Sequence, residues 1–175
     1  MKRFISPFDY ANVITKALKP NGVLLTAKAD GQVNTMTIGW GTLGVQWGKP
    51  IFIAFVRGCR HTKSMLDKNP EFTINVPLGV ADKNIIRYCG TKSGRDVDKF
   101  KELGLTQEPP ETISVPGIRE LPLTLECKVI YKQQQYPECM PDPEPHTHFP
   151  ESSTDIHGDY HTAYYGQIVN AYIIE

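Results

Sequence analysis

The sequence predicts a mainly β protein with a few helices packed outside the sheet, in which the strands form a barrel that closes on itself. One indication is a β-hairpin in which Asp30-Gly31 joins two strands. Another is a pair of long β-forming stretches late in the chain, Leu123 to Gln134 and Thr162 to Ile174. The sequence also lacks the regular alternation of helix and strand that a doubly wound parallel sheet requires.

The first half of the chain supplies short strands bounded by glycine or proline. The hairpin consists of Val23 to Ala29 and a returning strand from Gln32 to Trp40. Two apolar runs of strand length follow, Ile51 to Val56 and Glu71 to Val76. Between these two strands, a short helix is expected from Lys63 to Lys68.

The second half begins with short helices. Asp82 to Tyr88 has a helical pattern, and Ser93 to Asp96 is typical of a capped start for a helix that runs to about Leu103. Gly104 is suited to end that helix, because glycine readily adopts a left-handed conformation. The prolines in Gln107 to Glu120 indicate an extended or loop segment.

The segment from Pro137 to Asp159 is too rich in proline and polar residues to be core, so we expect a long surface excursion or a lid. It carries His146 and His148, with Cys139, His157 and His161 nearby. Imidazole and thiolate are common zinc ligands, but this spacing matches no closed zinc module. We interpret these histidines as solvated and predict no metal, with a weak metal site as the alternative.

Composition limits the classes of function. The 175 residues suit a single domain over 1–175, and 19 Lys and Arg balance 19 Asp and Glu. With no net charge, the protein has no overall electrostatic potential that would attract nucleic acid or an anionic membrane. No stretch approaches the roughly 20 apolar residues of a membrane span, and the four cysteines form no C-x-x-C pair. We expect a cytoplasmic protein with reduced thiols.

Two glycine motifs are present only in part. Gly39, Gly41 and Gly44 spell G-x-G-x-x-G, but Gly48 and Pro50 forbid the helix that must follow a dinucleotide fingerprint. The same stretch approaches a phosphate-binding loop, yet Pro50 stands where a magnesium-binding hydroxyl is needed. We therefore expect these glycines to lie in a loop between strands.

The residues after the strand Ile51 to Val56 concentrate positive charge. Arg57, Arg60 and Lys63 lie within seven positions, with His61 and Thr62 between them. Thr62 is placed to cap a helix that begins at Lys63, and backbone N–H groups at a helix start bind anions together with neighbouring cations. The segment predicts a phosphate site, although a solvated cationic turn would have the same sequence.

The end of the hairpin strand complements this charge. Asn34 to Gly41 carries small polar residues and glycine, which let a planar ring approach the backbone N–H and C=O groups. A flat heteroaromatic compound with a phosphate tail suits both segments.

Six segments in order resemble the flavin reductase-like proteins, and among them the flavoredoxins. The resemblance covers nearly the whole chain after about Tyr10. The segments are N-T-M-T-I-G-W-G, K-P-I-F-I-A-F-V-R, R-H-T-K, E-F-T-I-N-V-P, C-G-T-K-S-G-R-D-V-D-K-F and G-D-Y-H-T-A-Y-Y-G-Q-I-V.

This resemblance implies a Greek-key split β-barrel that binds FMN and forms a homodimer, with the flavin near the subunit interface. It implies a flavin-ring edge at Asn34, Thr35, Met36, Thr37, Trp40 and Gly41, and a phosphate site at Arg57, Arg60, His61, Thr62 and Lys63. Ser93, Gly94 and Lys99 would close over the cofactor or come from the partner subunit. His161, in G-D-Y-H, would contact the flavin or the incoming nicotinamide; many relatives read G-D-H, so Tyr160 shifts this match by one place.

The function implied by the resemblance is that of an FMN-binding oxidoreductase. Such a protein takes hydride from NADH or NADPH and passes electrons to a flavin, a partner protein or a small acceptor. One alternative is an electron carrier that binds FMN tightly and has no nicotinamide activity. Another is a flavin-free protein that binds small molecules on the same barrel, because a fold does not determine one function.

Overall fold

The computed structural model describes residues 1–141, residue 148 and residues 159–175. Antiparallel pairing joins the strands of the large sheet. The strands are β1 (Lys2–Phe4), β2 (Val23–Ala29), β3 (Gln32–Ile38), β4 (Gly41–Gln46), β5 (Lys49–Arg57), β6 (Glu71–Val76), β7 (Gln107–Glu108), β8 (Gly117–Ile118), β9 (Leu123–Gln134) and β10 (His161–Ile174).

Short helices connect and cover these strands. They are α1 (Ala11–Leu18), α2 (His61–Lys68), α3 (Lys83–Thr91) and α4 (Lys99–Leu103), with 3-10 turns at Pro7–Tyr10 and Pro137–Cys139. In the described ranges, no helix has both the length and the apolar character needed to cross a membrane.

The strand order closes the sheet on itself. The order is β3-β2-β6-β9-β10-β5-β4, and β1 pairs with the far end of β10. The end strands β3 and β4 are consecutive in the chain and separated only by Gly39 and Trp40. Because such a short link brings the two sheet edges together, the sheet curls into a barrel. We call this meeting point the seam.

The barrel interior is the main hydrophobic core. Its fully buried residues include Leu25, Phe52, Phe72, Ile74 and Leu125. β-Branched and aromatic side chains suit this position, because they pack well on a pleated surface.

A second apolar layer lies outside β2. Leu24 packs there with Ile86 and Cys89 from α3, Phe100 from α4 and Ile118 from β8. Both faces of β2 are therefore covered, and α3 is held close to the neighbouring strand β3.

The predicted hairpin and the mainly β class are confirmed. Asp30 and Gly31 have φ of 51° and 76°, the left-handed pair that a tight turn between twisted strands requires. The helix predicted from Asp82 is α3, in which the Asp82 side chain accepts a hydrogen bond from the Asn84 N–H at 2.8 Å. Gly104 has φ of 63° at the end of α4, as predicted.

Three local predictions were wrong. The glycines expected in a loop lie partly in β4, where Gly41 makes room for Phe52: a Cβ would come within 2.6 Å of that ring. Helix α2 starts at His61 and not at Lys63. Its N-cap is Arg60, which makes no side-chain cap hydrogen bond, and the predicted cap Thr62 lies inside the helix. Ser93 does not start α4, because Asp98 fills the N-cap position and accepts from the Lys101 N–H at 3.2 Å.

Candidate functional site

A cleft of about 290 Å³ opens at the seam. We call it the seam cleft. Its lining comes from the end of β3, the link to β4, the end of β5, the turn after β5 and the start of β10: Met36, Thr37, Ile38, Gly39, Trp40, Phe55, Arg57, Arg60 and His161. The curled sheet thus brings residues from distant parts of the sequence into one cleft.

The turn between β5 and α2 gives the seam cleft its positive charge. Arg57 ends β5 and Arg60 precedes α2, and the Arg60 N–H donates to the Arg57 carbonyl at 3.2 Å. The Arg60 guanidinium donates to the Gly90 carbonyl at 3.4 Å. The start of α2 also presents backbone N–H groups at this turn, so an anion here would meet two cations and a helix N-terminus.

One carboxylate lies against this turn. Oδ2 of Asp159 is 3.7 Å from Nη1 of Arg57, and Oδ1 accepts a hydrogen bond from the Cys59 N–H at 2.9 Å. The Cys59 thiol donates to Oδ2 at 3.0 Å. Desolvation and the hydrogen bond to Asp159 raise the pKa of this thiol. Arg57 also donates to the His148 carbonyl at 2.8 Å.

Aromatic rings also line the seam cleft. The Trp40 ring lies 4.8 Å from the His161 ring and 5.2 Å from the His148 ring, measured between centroids. His161 is only 6% exposed and pairs in register with Arg57 on β5. Desolvation, with the nearby Arg57 charge, lowers the pKa of His161 to about 4. Its imidazole is therefore neutral near neutral pH.

The edge of β3 adds backbone groups. Within the sheet, β3 pairs with β2 and ends the strand order. In an antiparallel pair, alternate residues direct both N–H and C=O away from the partner strand. The Thr35 carbonyl accepts from Lys99, so the next outward pair belongs to Thr37. The Thr37 side chain donates to the Ile86 carbonyl at 2.5 Å. The polar groups that Thr37 offers to the cleft are therefore those of its backbone.

A second cleft, of about 800 Å³, lies beside the first half of β3. Asn34, His61, Gly94 and Lys99 contribute to its lining. Asn34 is buried and donates through Nδ2 to the Thr62 hydroxyl at 2.9 Å. A Cβ on Gly94 would collide with Oδ1 of Asn34, so glycine is needed for this close packing.

Lys99 is buried in the wall of the second cleft. Its ammonium donates to the carbonyls of Thr35 and Cys89 at 2.8 Å and 3.0 Å. Desolvation lowers the pKa of Lys99, and it also lowers the pKa of His61, which nearby cations depress further. The charge of Lys99 is thus held close to the carbonyls that solvate it.

The other predicted site residues make contacts within the protein. Thr35 donates to the Leu25 carbonyl at 3.2 Å, and Lys63 pairs with Asp67 at 2.7 Å. Asp67 also accepts from Lys132 and Tyr164, and its pKa falls to about 2 despite the opposing effect of desolvation. The Ser93 hydroxyl accepts from the Arg95 N–H at 3.2 Å. Gly41 lines an adjoining cleft of about 470 Å³ with Trp40 and Phe55.

Sequence reasoning missed Phe55 in the lining of the seam cleft, and it missed Asp159 and His148, which contact residues of that lining. Phe55 lies two residues before Arg57 on the same face of β5, so strand alternation could have indicated it. Asp159 stands two residues before His161 but was assigned to the excursion. His148 was interpreted as solvated, whereas its ring contacts Trp40 and its carbonyl binds Arg57.

Most of the predicted excursion from Pro137 to Asp159, namely residues 142–147 and 149–158, lies outside the described residues. In the ranges that the structure describes, no three His, Cys, Asp or Glu side chains are grouped closely enough to hold a metal ion. His146 and His157 lie outside those ranges.

Comparison with known proteins places the chain in a family. The model of the "flavin reductase like domain" matches residues 18–175. A curated relative, an uncharacterized protein of Archaeoglobus fulgidus, is 29% identical over 97 residues, which are 55% of this chain and 54% of that protein. The match thus spans about half the length of this relative.

Two solved structures show the same split-barrel fold. A flavoredoxin from Methanosarcina acetivorans is 25% identical with a TM-score of 0.64, covering 88% of this chain and 69% of that one. An FMN-binding domain of a flavin reductase-like enzyme from Shewanella baltica is 16% identical with a TM-score of 0.66, covering 99% and 77%. With the family model matched over residues 18–175, the chain belongs to the family of proteins that carry the flavin reductase like domain.

Proposed function

We propose that this chain binds FMN in the seam cleft and acts as an oxidoreductase that takes hydride from NADH or NADPH. The observation that carries the proposal is the meeting of Arg57, Arg60 and the outward edge of β3 at one cleft. Two guanidinium groups suit a phosphate, and backbone N–H and C=O groups suit the polar edge of a flavin ring. The name of the Shewanella baltica relative supports the choice of FMN.

Within this proposal, Arg57 and Arg60 bind the phosphate and the backbone of Thr37 binds the ring edge. Trp40 and Phe55 limit the access of water to the ring. His161 contacts the flavin or the nicotinamide as a neutral group, because its pKa of about 4 keeps it uncharged near neutral pH. When bound, FMN supplies the hydride acceptor, so the protein needs no acid or base of its own for that transfer.

The remaining predicted residues support the site from the wall between the two clefts. Asn34 and Thr62 fix the start of α2 against β3 through their hydrogen bond, and Gly94 closes over Asn34. Lys99 and His61 contribute positive charge or donors from the second cleft. Met36, Thr35, Gly41, Lys63 and Ser93 shape the surrounding backbone in this proposal.

A second candidate is an electron carrier that keeps FMN bound and has no nicotinamide activity. The observation that favours it is the position of Trp40, which contacts the rings of both His148 and His161. This packing leaves less room for a nicotinamide to stack on a flavin. The similarity to a flavoredoxin supports the same candidate.

We also propose that two copies of the chain associate through the outer face of β5 and β10. Ile53 and Phe55 on β5 are only partly buried and lie opposite Tyr165 and Ala163 on β10. Phe55 lines the seam cleft and two neighbouring clefts, so a second copy on this face would lie near the flavin.

Light scattering should give the mass of a dimer, and Phe55→Lys should yield a folded monomer. A partner redox protein is the other candidate for this face.

The first experiment is an absorption spectrum of the desalted protein with and without added FMN, followed by anaerobic NADH and NADPH. Retained flavin that bleaches with nucleotide supports the oxidoreductase, and retained flavin that stays oxidised supports the carrier. A protein that takes up no FMN overturns both candidates and leaves a flavin-free function.

The phosphate assignment has its own test. Arg57→Ala should weaken FMN binding by about 1.5–3 kcal/mol, because it removes a charge-assisted hydrogen bond, and it should affect riboflavin much less. Arg3→Ala is the matched control, since Arg3 pairs with Glu175 at the opposite end of β10. Equal losses for FMN and riboflavin would contradict the assignment.

A further inference from the structure

We propose that Asp159 is an affinity-determining residue whose carboxylate competes with the phosphate of the ligand for the turn Arg57 to Arg60. This inference rests on the proposed function, because it concerns the same anion site. Its consequence is that the chain holds FMN less tightly than the two arginines alone would allow.

The contacts of Asp159 are those of a bound anion. One carboxylate oxygen accepts from the Cys59 N–H at 2.9 Å, and the other lies 3.7 Å from Nη1 of Arg57. The same oxygen accepts from the Cys59 thiol at 3.0 Å. The Asp159 side chain is only 14% exposed, so these donors provide much of its solvation.

A phosphate needs the same donors. Phosphate oxygens in proteins bind arginine guanidinium groups and backbone N–H groups near helix starts, and this turn offers both. A phosphate placed here either displaces the carboxylate or lies close to it. In the first case the contacts of Asp159 are lost, and in the second the two negative charges repel each other. Both cases weaken binding.

The chain keeps Asp159 near the turn. His161, two residues later, is held in β10 opposite Arg57, and its side chain is buried beside Trp40. A carboxylate tethered this closely has a high effective concentration at the turn. Asp159 therefore competes continuously with a ligand phosphate and tunes whether flavin stays bound or exchanges.

The test compares Asp159→Asn with the wild type by titration with FMN and riboflavin at low ionic strength. The amide keeps an oxygen that accepts from the Cys59 N–H but removes the charge. We expect FMN to bind about five- to tenfold more tightly and riboflavin to be unchanged. Asp9 is exposed in the 3-10 turn Pro7–Tyr10, so Asp9→Asn makes the same change in net charge and should alter the binding of neither ligand. Equal or weaker FMN binding by Asp159→Asn would overturn the inference.

A second measurement needs no flavin. In a Cys139→Ser background, Cys59 is the exposed thiol, because Cys89 and Cys127 are buried. Inorganic phosphate bound at the turn should change the rate at which iodoacetamide alkylates Cys59, with half of the effect at a lower phosphate concentration in Asp159→Asn. The same concentration in both proteins would refute the competition.

The two measurements separate the inference from the function on which it rests. If neither protein binds FMN but phosphate still acts at lower concentration on Asp159→Asn, the proposed flavin function fails and the role of Asp159 stands. If both bind FMN equally and respond equally to phosphate, FMN binding stands and the role of Asp159 fails.

Discussion

The two halves of β3 use similar residue types for different purposes. In the first half, Asn34 donates to Thr62 and the Thr35 carbonyl accepts from the buried Lys99. In the second half, the Thr37 side chain is bound to α3, but its backbone lies at the seam cleft with Arg57. The polar groups of the first half bind other parts of the protein, whereas the second half has backbone polar groups at a cleft.

This difference teaches how to weigh a polar strand in a sequence. Small polar residues do not by themselves indicate a binding edge, since a buried hydroxyl or amide usually has a partner within the protein. The stability of the fold should therefore depend on the first half of β3, and ligand affinity should depend on the second half.

The largest effect is expected for Gly94→Ala. The added Cβ collides with Oδ1 of Asn34, which is buried and bound to Thr62 and therefore has little freedom to move. Overpacking of this kind should lower the free energy of unfolding by about 3 kcal/mol, measured by urea denaturation.

Gly44→Ala is the matched control for this change. Gly44 lies in the barrel strand β4, and a Cβ there meets no atom within 4 Å in the part of the chain that the structure describes. We expect it to change stability by less than about 0.5 kcal/mol. If the two alanine variants were equally stable, the close packing of Gly94 on Asn34 would be refuted.

Lys99→Met should have the next largest effect. The methionine fills a similar volume but leaves the carbonyls of Thr35 and Cys89 without their donor. The expected loss in the free energy of unfolding is about 2 kcal/mol, because unsatisfied buried carbonyls are costly. Lys101→Met, at an exposed position of the same helix, is the control and should be nearly neutral. A stability equal to that of the control would show that Lys99 does not support the fold.

The fold was largely predictable from the sequence because its signals are local. Strand alternation and the Asp30-Gly31 turn identified the hairpin, and the two long late strands predicted closure of the barrel. The strand β4 was missed because Gly41 and Gly44 read as loop residues. Gly41 is a strand residue because Phe52, eleven positions later, occupies the space of its side chain. A contact between separate strands has no local signature.

The site was predictable in part for the same reason. Arg57 and Arg60 are close in the chain, so their charge was evident before the structure was known. The contribution of Asp159 depends on the pairing of β10 with β5, which brings it to the turn across 100 positions. Likewise, Lys63 carries the expected charge, but the helix directs it to Asp67 four residues later.

His161, at the start of β10, provides a pH test at the seam cleft. Its pKa is about 4 in the folded protein, against an ordinary value of 6.5. The folded state therefore favours the neutral imidazole. As far as His161 is concerned, the free energy of unfolding has its full value above pH 6.5 and decreases as the pH falls from there through 4. His161→Gln should remove this acid-dependent loss, which we expect to reach about 2 kcal/mol at pH 5.

The measurement is the difference in the free energy of unfolding between wild type and His161→Gln across this pH range. Subtraction cancels the titration of carboxylates common to both proteins, such as Asp67, whose pKa of about 2 affects stability at lower pH. A constant difference between pH 6.5 and 4 would show that His161 is not desolvated at the seam.

The smallest effect on stability is expected for Arg60→Ala. Its guanidinium makes one long hydrogen bond of 3.4 Å to the Gly90 carbonyl at an exposed position, so its removal should change the free energy of unfolding by less than about 0.5 kcal/mol. The same variant should lose about tenfold or more in affinity for FMN, because a charge-assisted hydrogen bond to phosphate is absent. Arg3→Ala again serves as the control, with FMN affinity unchanged. A loss of stability without a loss of FMN affinity would reverse the division between the two halves of β3, since the turn beside its second half would then serve the fold.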